Sequence, residues 1–303
     1  GGRVLFVHNG IRKSYSGNTF REQLKRQLVR ILYNRADRVV GVSPDVCREL
    51  SQSYKVQSRK AVFLPNPIDR TAISKDSDKK YDDLQEQILG NEYLISVASL
   101  TPQKNHELLL RVFQRLVYDN QQFSPLKLLL LGEGELRDSL QRLCRDLDLS
   151  VFDARRDFFT GEEKVYFLGY QANPYRLLRR AKLLLMTSSW EGLPIALLEA
   201  MSLGLPAVIS DCSEGIRSAW QTSGKKSVCT QTPTCCWTSF GALINGLVPE
   251  PDTIDVWVSA IKRLLNDKEL YESCSSSCKE RSADYDINRI VDIWQQKLLT
   301  ADG

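Results

Sequence analysis

Two glutamates on one short segment are the residues in this chain best placed to do chemistry. Glu191 stands immediately before Gly192-Leu193-Pro194-Ile195, where an apolar strand turns into a helix, and Glu199 lies roughly two turns further on. Gly192 permits the tight turn, and Pro194 suits the first helical turn because its missing N–H is not needed there. The product is a helix N-terminus whose free amides, between Gly192 and Ala196, can bind a diphosphate without a metal. Glu191 is then placed for a sugar hydroxyl. Glu199, too distant for the same group, is placed for a second polyol such as a ribose. A pair of glutamates seen alone is more simply a helix-start acid and a surface residue. The neighbouring loops argue otherwise.

Three further loops carry suitable residues. In Ser99-Leu100-Thr101-Pro102-Gln103-Lys104-Asn105 a strand ends and a helix begins with Lys104 near its N-terminus, where a phosphate would meet both the lysine and the helix-start amides. Gly132-Glu133-Gly134 follows a strand and lets backbone approach a ligand closely, although most such glycine pairs are only turns. Gly169-Tyr170-Gln171-Ala172-Asn173-Pro174 ends another strand with an aromatic suited to lying near a base, a residue that taken singly is more often packing.

Loops of this kind leave the carboxyl ends of parallel strands in an open sheet, and the rest of the sequence reads as that frame. Short apolar runs alternate with longer helical patterns, which predicts parallel sheets with crossover helices. Residues 1–67 carry three strands, at Arg3–Val7, Arg38–Val42 and Ala61–Leu64. They also carry a helix from Thr19 to Tyr33 with Phe20, Leu24, Leu28, Ile31 and Leu32 on one side, and a short helix started by Ser43-Pro44. Pro65-Asn66-Pro67 breaks the pattern, and a polar stretch runs to about Asp83. A second, complete series has strands at Tyr93–Ser99, Lys127–Leu131, Lys164–Leu168, Lys182–Met186 and Ala207–Ile209, with helices between them, including Asn105–Tyr118 and Glu135–Leu147. Gln221–Thr238, rich in Thr, Ser, Lys and Cys, reads as an extended surface loop. Helices from Ile254 and Lys268, and a last amphipathic one at Ile287–Leu299, complete the chain.

Composition sets the limits. With 42% apolar and 26% charged residues the chain is a folded protein. A net charge of +4 does not argue nucleic-acid binding, and none is expected. No apolar run approaches the roughly 20 residues needed to span a bilayer, and no secretory leader is read at the N-terminus. A cytoplasmic protein is expected from this. The start at Gly1-Gly2-Arg3, without Met, leads us to expect a trimmed N-terminus. The scattered cysteines read as reduced thiols, and with only His8 and His106 available no metal site is expected.

At Ser188–Val208 the sequence closely resembles the signature of family-four retaining glycosyltransferases of the two-domain GT-B fold. The resemblance extends, in order, to Ala36–Ser43, Leu64–Asp69, Gln103-Lys104-Asn105 and Leu131–Gly134, and so covers most of the chain. It implies an α/β protein of GT-B type: a doubly wound Rossmann-like C-terminal domain at 68–286 that binds a nucleotide sugar, preceded at 1–67 by the end of a partial, Rossmann-like N-terminal domain on the acceptor side. Residues 287–303 would form a helix that packs back on that N-terminal part. The implied activity is transfer of a hexose or N-acetylhexosamine from a nucleoside diphosphate sugar, uridine-linked, to a glycan or lipid-linked glycan in polysaccharide or glycoconjugate biosynthesis. Retention of configuration is implied, and no cofactor.

By the same resemblance Lys104 is a ligand of the donor diphosphate, Glu199 of the ribose, and Glu191 the carboxylate beside the transferred sugar. Ser99, Gly132, Gly134, Tyr170, Asn173 and the Gly192, Leu193, Pro194 and Ile195 helix start line the donor site. His8 would line the catalytic cleft from the N-terminal domain. Two departures matter. Ser99 stands where the family usually has Arg, leaving Lys104 as the main cation. The family's opening strand and glycine-rich loop are not found before Gly1, so most of the acceptor site is expected to lie outside this sequence. A nucleotide-sugar-binding fragment without turnover, a sugar-nucleotide epimerase and a phosphorylase are the rivals; nothing suggests the pyridoxal phosphate lysine the last would need. The basic helix with Arg21, Lys25, Arg26 and Arg30 has two readings: packing on the sheet with its charges in water, or peripheral contact with an anionic membrane at the cytoplasmic face.

Overall fold

A computed structural model describes residues 5–8, 20–79, 86–88, 90–221 and 233–299. Strands β1 (Leu5–His8), β2 (Arg38–Gly41) and β3 (Ala61–Phe63) form a parallel sheet in that order. Helices Phe20–Arg35 and Pro44–Gln52 accompany it. Ser43 caps the second of these through Val46 N. Beneath the sheet lies a small cluster of Ala36, Val39, Leu50, Tyr54 and Val56, joined by Val29 and Tyr33.

The larger sheet contains β4 (Tyr93–Val97), β5 (Lys127–Leu131), β6 (Val151–Asp153), β7 (Val165–Gly169), β8 (Leu184–Met186), β9 (Ala207–Ser210), β10 (Thr234–Thr238) and β11 (Gly241–Asn245). Their order is β10-β11-β9-β8-β4-β5-β7-β6, parallel throughout except for β10. The strands read as continuous apolar runs because both faces are covered. In β5, Leu129 and Leu131 belong to one apolar layer while Leu128 and Leu130 belong to the other. Tyr166 and Leu168 divide from Val165 and Phe167 in β7 in the same way, as the two-residue strand period demands. Helix His106–Tyr118 covers one face with Leu109, Val112, Phe113 and Leu116, and helix Ile195–Ser202 covers the other with Leu197, Leu198 and Met201.

Several expectations from the sequence are corrected. Composition reads Gln221–Thr238 as loop, but Thr234–Thr238 is strand β10, antiparallel to β11. Thr, Cys and Trp favour extended backbone, and Cys235 and Trp237 alternate onto the core while Thr234 and Cys236 face solvent. Residues 222–232 of that stretch lie outside the described ones. The short β6 has no period long enough to be seen in the sequence. The polar stretch after Pro67 contains a helix, Arg70–Ser77, capped by Asp69 at 2.8 Å from Ala72 N and pinned to the core by Ile73. On helix Phe20–Arg35 the inward residues among those with described side chains are Val29 and Tyr33, whereas Leu24, Leu28, Ile31 and Leu32 are 47–52% exposed.

The two sheets meet around a few polar contacts. Ile68 N donates to Tyr285 O and Ile287 N to Ile68 O, each at 2.9 Å. Asp45 accepts from Glu214 N at 3.1 Å, and Arg48 forms an ion pair with Glu214. From the last helix, Ile287–Leu299, Lys297 Nζ reaches Phe63 O at 3.2 Å.

Candidate functional site

β4 and β8 are neighbours, but the chain leaves them in opposite directions, to β5 on one side and to β9 on the other. A crevice opens at the carboxyl ends of such a pair. The loop after β4 carries Lys104 and the loop after β8 carries Glu191. Their side chains meet at 2.5 Å, both largely buried at 16% and 8% exposure. Lys104 has three donors and Glu191 two oxygens, so each keeps hydrogen-bonding capacity beyond the pair.

Side chains that sequence reasoning did not single out hold this pair in place. Gln103 Nε2 donates to Trp190 O and Ser189 N donates to Gln103 O, both at 2.8 Å. Thr187 Oγ1 shares its one proton between the carbonyls of Lys104 and Asn105, each at 3.0 Å. Asn105 adopts left-handed backbone (φ 49°), which Asn tolerates better than most residues, and its amide donates to Leu247 O at 2.8 Å. The signal in the sequence was that Gln103 and Asn105 flank Lys104 in a loop that shares the family resemblance, and that Thr187 and Ser189 follow the next strand. Lys104 closes a 3-10 turn, Pro102–Lys104, and the helix begins one residue later than expected, at His106.

The second feature is the start of helix Ile195–Ser202. Pro194 is the residue before the helix (φ −68°, ψ 123°) rather than part of its first turn, and Ile195, 49% exposed, is the first helical residue. No side chain caps this end, so the first amides keep their donors. Leu193 is buried, its carbonyl accepting from Asn66 Nδ2 at 2.9 Å, while Gly192 O accepts from Ser213 Oγ at 3.1 Å. One end of this turn is therefore held by the Pro65-Asn66-Pro67 segment.

The remaining expected residues divide. Glu199 is half-buried and accepts a hydrogen bond from Tyr175 OH at 3.0 Å. Burial raises its pKa, and the phenol opposes that rise. Tyr170 is 77% exposed, and Ser99 lies exposed beside Thr101. The glycines have a reason other than ligand approach: a Cβ on Gly132 would lie 2.1 Å from Ala98 O, and one on Gly134 2.3 Å from Leu100 O. They let the loop after β5 pack on the loop after β4. Asn173 is committed to the fold, its amide donating to Asp76 O and its oxygen accepting from Tyr175 N, each at 3.1 Å. His8 ends β1 opposite Gly41, but its side chain, like those of Arg21, Lys25 and Arg26, lies outside the described residues.

Two buried groups adjoin the site. Burial pushes the Cys212 thiol up to about 12, in the field of Glu191, Asp211 and Lys104. His106 is buried, and its pKa is lowered to about 4 by burial and then by Lys104. Among the described residues its Nδ1 has no hydrogen-bond partner. An unfolded histidine takes a proton below about pH 6.5, whereas this one resists until about pH 4, so folding loses stability as pH falls through that window. His106→Leu should reduce the stability lost between pH 7 and pH 5 by about 2 kcal/mol, read by urea denaturation at the two pH values. Equal losses in both proteins would refute the buried neutral histidine. Among the described residues no group of three or more His, Cys, Asp or Glu is placed to hold a metal ion, and no helix is long and apolar enough to cross a membrane.

The family model for glycosyl transferases group 1 matches residues 78–281, and that for glycosyltransferase family 4 matches 2–72. A Campylobacter jejuni N-acetylgalactosamine-N,N'-diacetylbacillosaminyl-diphospho-undecaprenol 4-alpha-N-acetylgalactosaminyltransferase is 28% identical over 277 residues, covering 91% of this chain and 64% of that protein. An Escherichia coli UDP-Gal:alpha-D-GlcNAc-diphosphoundecaprenol alpha-1,3-galactosyltransferase is 25% identical over 231 residues, covering 75% of this chain and 50% of its own length. The chain thus spans between half and two thirds of these relatives. The crystal structure of Anabaena HepE in complex with UDP superposes with a TM-score of 0.70 at 17% identity, covering 98% of this chain and 72% of HepE. That likeness establishes the fold as GT-B. Because the group 1 match runs through the loops of Lys104 and Glu191 and across most of the larger sheet, the chain belongs to the glycosyl transferases group 1 family.

Proposed function

We propose that this chain carries the donor site of a metal-independent, retaining glycosyltransferase (EC 2.4 class) that uses a UDP-linked hexose or N-acetylhexosamine and acts on a glycan or lipid-linked glycan acceptor. The observation that carries the proposal is the buried Lys104–Glu191 pair beside the uncapped start of helix Ile195–Ser202. Lys104 and the amides there would stabilise the departing diphosphate, and such fixed charge in a water-poor crevice is usually the largest catalytic term. Glu191 would contact the transferred sugar and Glu199 the ribose. Ser99, Gly132, Gly134 and Tyr170 would flank the nucleotide, and His8 would face the sugar from the smaller sheet. The leaving phosphate would help deprotonate the acceptor on the same face, giving retention without a covalent intermediate.

The names of the Campylobacter and E. coli relatives, which specify diphospho-undecaprenol glycans, support a lipid-linked acceptor. The name of the second and the UDP in the HepE complex support a uridine nucleotide. The half-exposed Leu24, Leu28, Ile31 and Leu32 on a basic helix support peripheral contact with an anionic cytoplasmic membrane surface. The rival reading is nucleotide-sugar binding without turnover.

A thermal-shift screen across nucleotides tests the donor site. UDP at a hundredfold excess over its Kd should stabilise the chain by about 2.7 kcal/mol, and Glu199→Ala should weaken UDP binding by roughly 10-fold or more. If no nucleoside diphosphate raises Tm, the proposal fails at its centre. Transfer from labelled UDP-sugar then separates turnover from binding alone.

A further inference from the structure

Glu199 has three rotatable side-chain bonds, and ordering such a chain costs conformational entropy. A carboxylate that must meet a ribose gains if something else holds it still beforehand. That partner is Tyr175, whose phenol donates to Glu199 Oε1 at 3.0 Å. Among the described residues no side chain or amide is seen on Oε2. The phenol is itself anchored. Tyr175 opens helix Tyr175–Arg180, its backbone N–H donates to Asn173 Oδ1 at 3.1 Å, and the Asn173 amide fastens that turn to Asp76 O at 3.1 Å. A tyrosine has only two side-chain torsions to fix, so its hydroxyl is a firm point from which to hold a longer side chain.

The direction of the bond is also fixed. An ionised carboxylate accepts only, so the phenol must donate. Burial and the Glu199 charge both push the phenol's pKa up, with Asp76 and Tyr170 adding to the effect, so it keeps its proton. Burial raises the Glu199 carboxyl while the same hydrogen bond draws it back toward the ionised form.

We propose that Tyr175 is a positioning residue for nucleotide recognition: by holding Glu199 Oε1 it presents Oε2 to the ribose diol, and so sets the preference for a ribonucleotide over a deoxyribonucleotide. The inference rests on the donor-site reading above. If it holds, a nucleotide lacking the hydroxyl from which Glu199 accepts leaves a partly buried carboxylate short of a donor, a loss of roughly 10- to 100-fold in affinity.

Calorimetric titration of UDP, 2′-deoxy-UDP and 3′-deoxy-UDP into the wild-type chain and Tyr175→Phe tests it. Phe keeps the ring packing and removes only the hydroxyl. Wild type should bind UDP at least ~10-fold tighter than one of the deoxy analogues. In Tyr175→Phe the UDP affinity should fall until that ratio is within ~3-fold, while the deoxy analogue binds as it does to wild type, which also shows that the variant is folded. In a Tyr175→Phe/Glu199→Ala double variant UDP should bind no more weakly than in Glu199→Ala alone, because the two residues act as one unit. An unchanged ratio in Tyr175→Phe, or an equal weakening of all three nucleotides, overturns the positioning role while leaving the donor site standing. Failure of the wild-type chain to bind UDP removes the donor site and this inference together.

Discussion

Lys104→Ala should lower sugar transfer by about 10²- to 10³-fold, the usual cost of deleting one fixed charge from a site that stabilises a leaving anion. Lys104 is placed for that effect by four loop contacts and by the 2.5 Å pair with Glu191. Ser99, in the same loop after β4, offers no positive charge to share the task. The substitution also leaves Glu191 largely buried without its cation, which costs about 1–3 kcal/mol of stability. Thermal melting therefore has to accompany the rate assay. Glu191→Gln is the companion: the amide nearly preserves shape, so transfer should fall more than affinity for bare UDP. Steady-state kinetics with UDP-sugar beside UDP titration checks both variants. A folded Lys104→Ala protein within tenfold of wild-type rate would remove Lys104 from the catalytic role, and equal losses of UDP affinity and transfer in Glu191→Gln would undo the division between sugar and nucleotide.

A second large effect is expected where no ligand is involved. Arg137, on the helix that follows the Gly132–Gly134 loop, is buried against Asp153 of the edge strand β6 at 2.5 Å. It also donates to Phe167 O at 3.0 Å, Gln141 donates to Asp153 Oδ2 at 2.7 Å, and Glu133 stands 3.2 Å from Arg137. Burial alone would raise the Asp153 carboxyl, but Arg137, the Arg155 amide and Gln141 outweigh it and hold it at about 2. Asp153→Ala strands a buried guanidinium, and breaking a buried pair from one side typically costs about 3–5 kcal/mol. Because the carboxyl is depressed, its contribution is fully present above the unfolded value near pH 4 and is lost as pH falls from about 4 to about 2. Urea denaturation of both proteins at pH 7 and across that acid range reads both effects. A loss under about 1 kcal/mol at pH 7 would mean that Glu133 and solvent satisfy Arg137 unaided, and the network would then not be what braces the loop after β5.

Several parts of the molecule were legible in the sequence because their signals are local. The apolar runs of β5 and β7, and the helices ending at Tyr118 and Leu299, follow from periodicity within a single segment. β6 and β10 were not, one being three residues long and the other masked by a polar composition that hides its alternation. The outward turn of Leu24 and Leu28 was equally hidden, since periodicity identifies an apolar stripe but not which part of it finds a partner.

The candidate site divides along the same line. Residue types and strand-end positions by themselves determined that Lys104 and Glu191 belong to loops on one edge of a parallel sheet, with a free helix start after Glu191 and Glu199 further along that helix. Only the tertiary structure decided that Lys104 and Glu191, 87 residues apart, form one buried pair. It likewise decided that Asn173 ties its loop to Asp76, that Gly132 and Gly134 make room for another loop, and that Tyr175 holds Glu199. The physical reason is that a helix or strand is specified by neighbours along the chain, whereas the partner of a buried polar group is specified by which strand lies beside which, a property of the whole sheet that no single segment encodes.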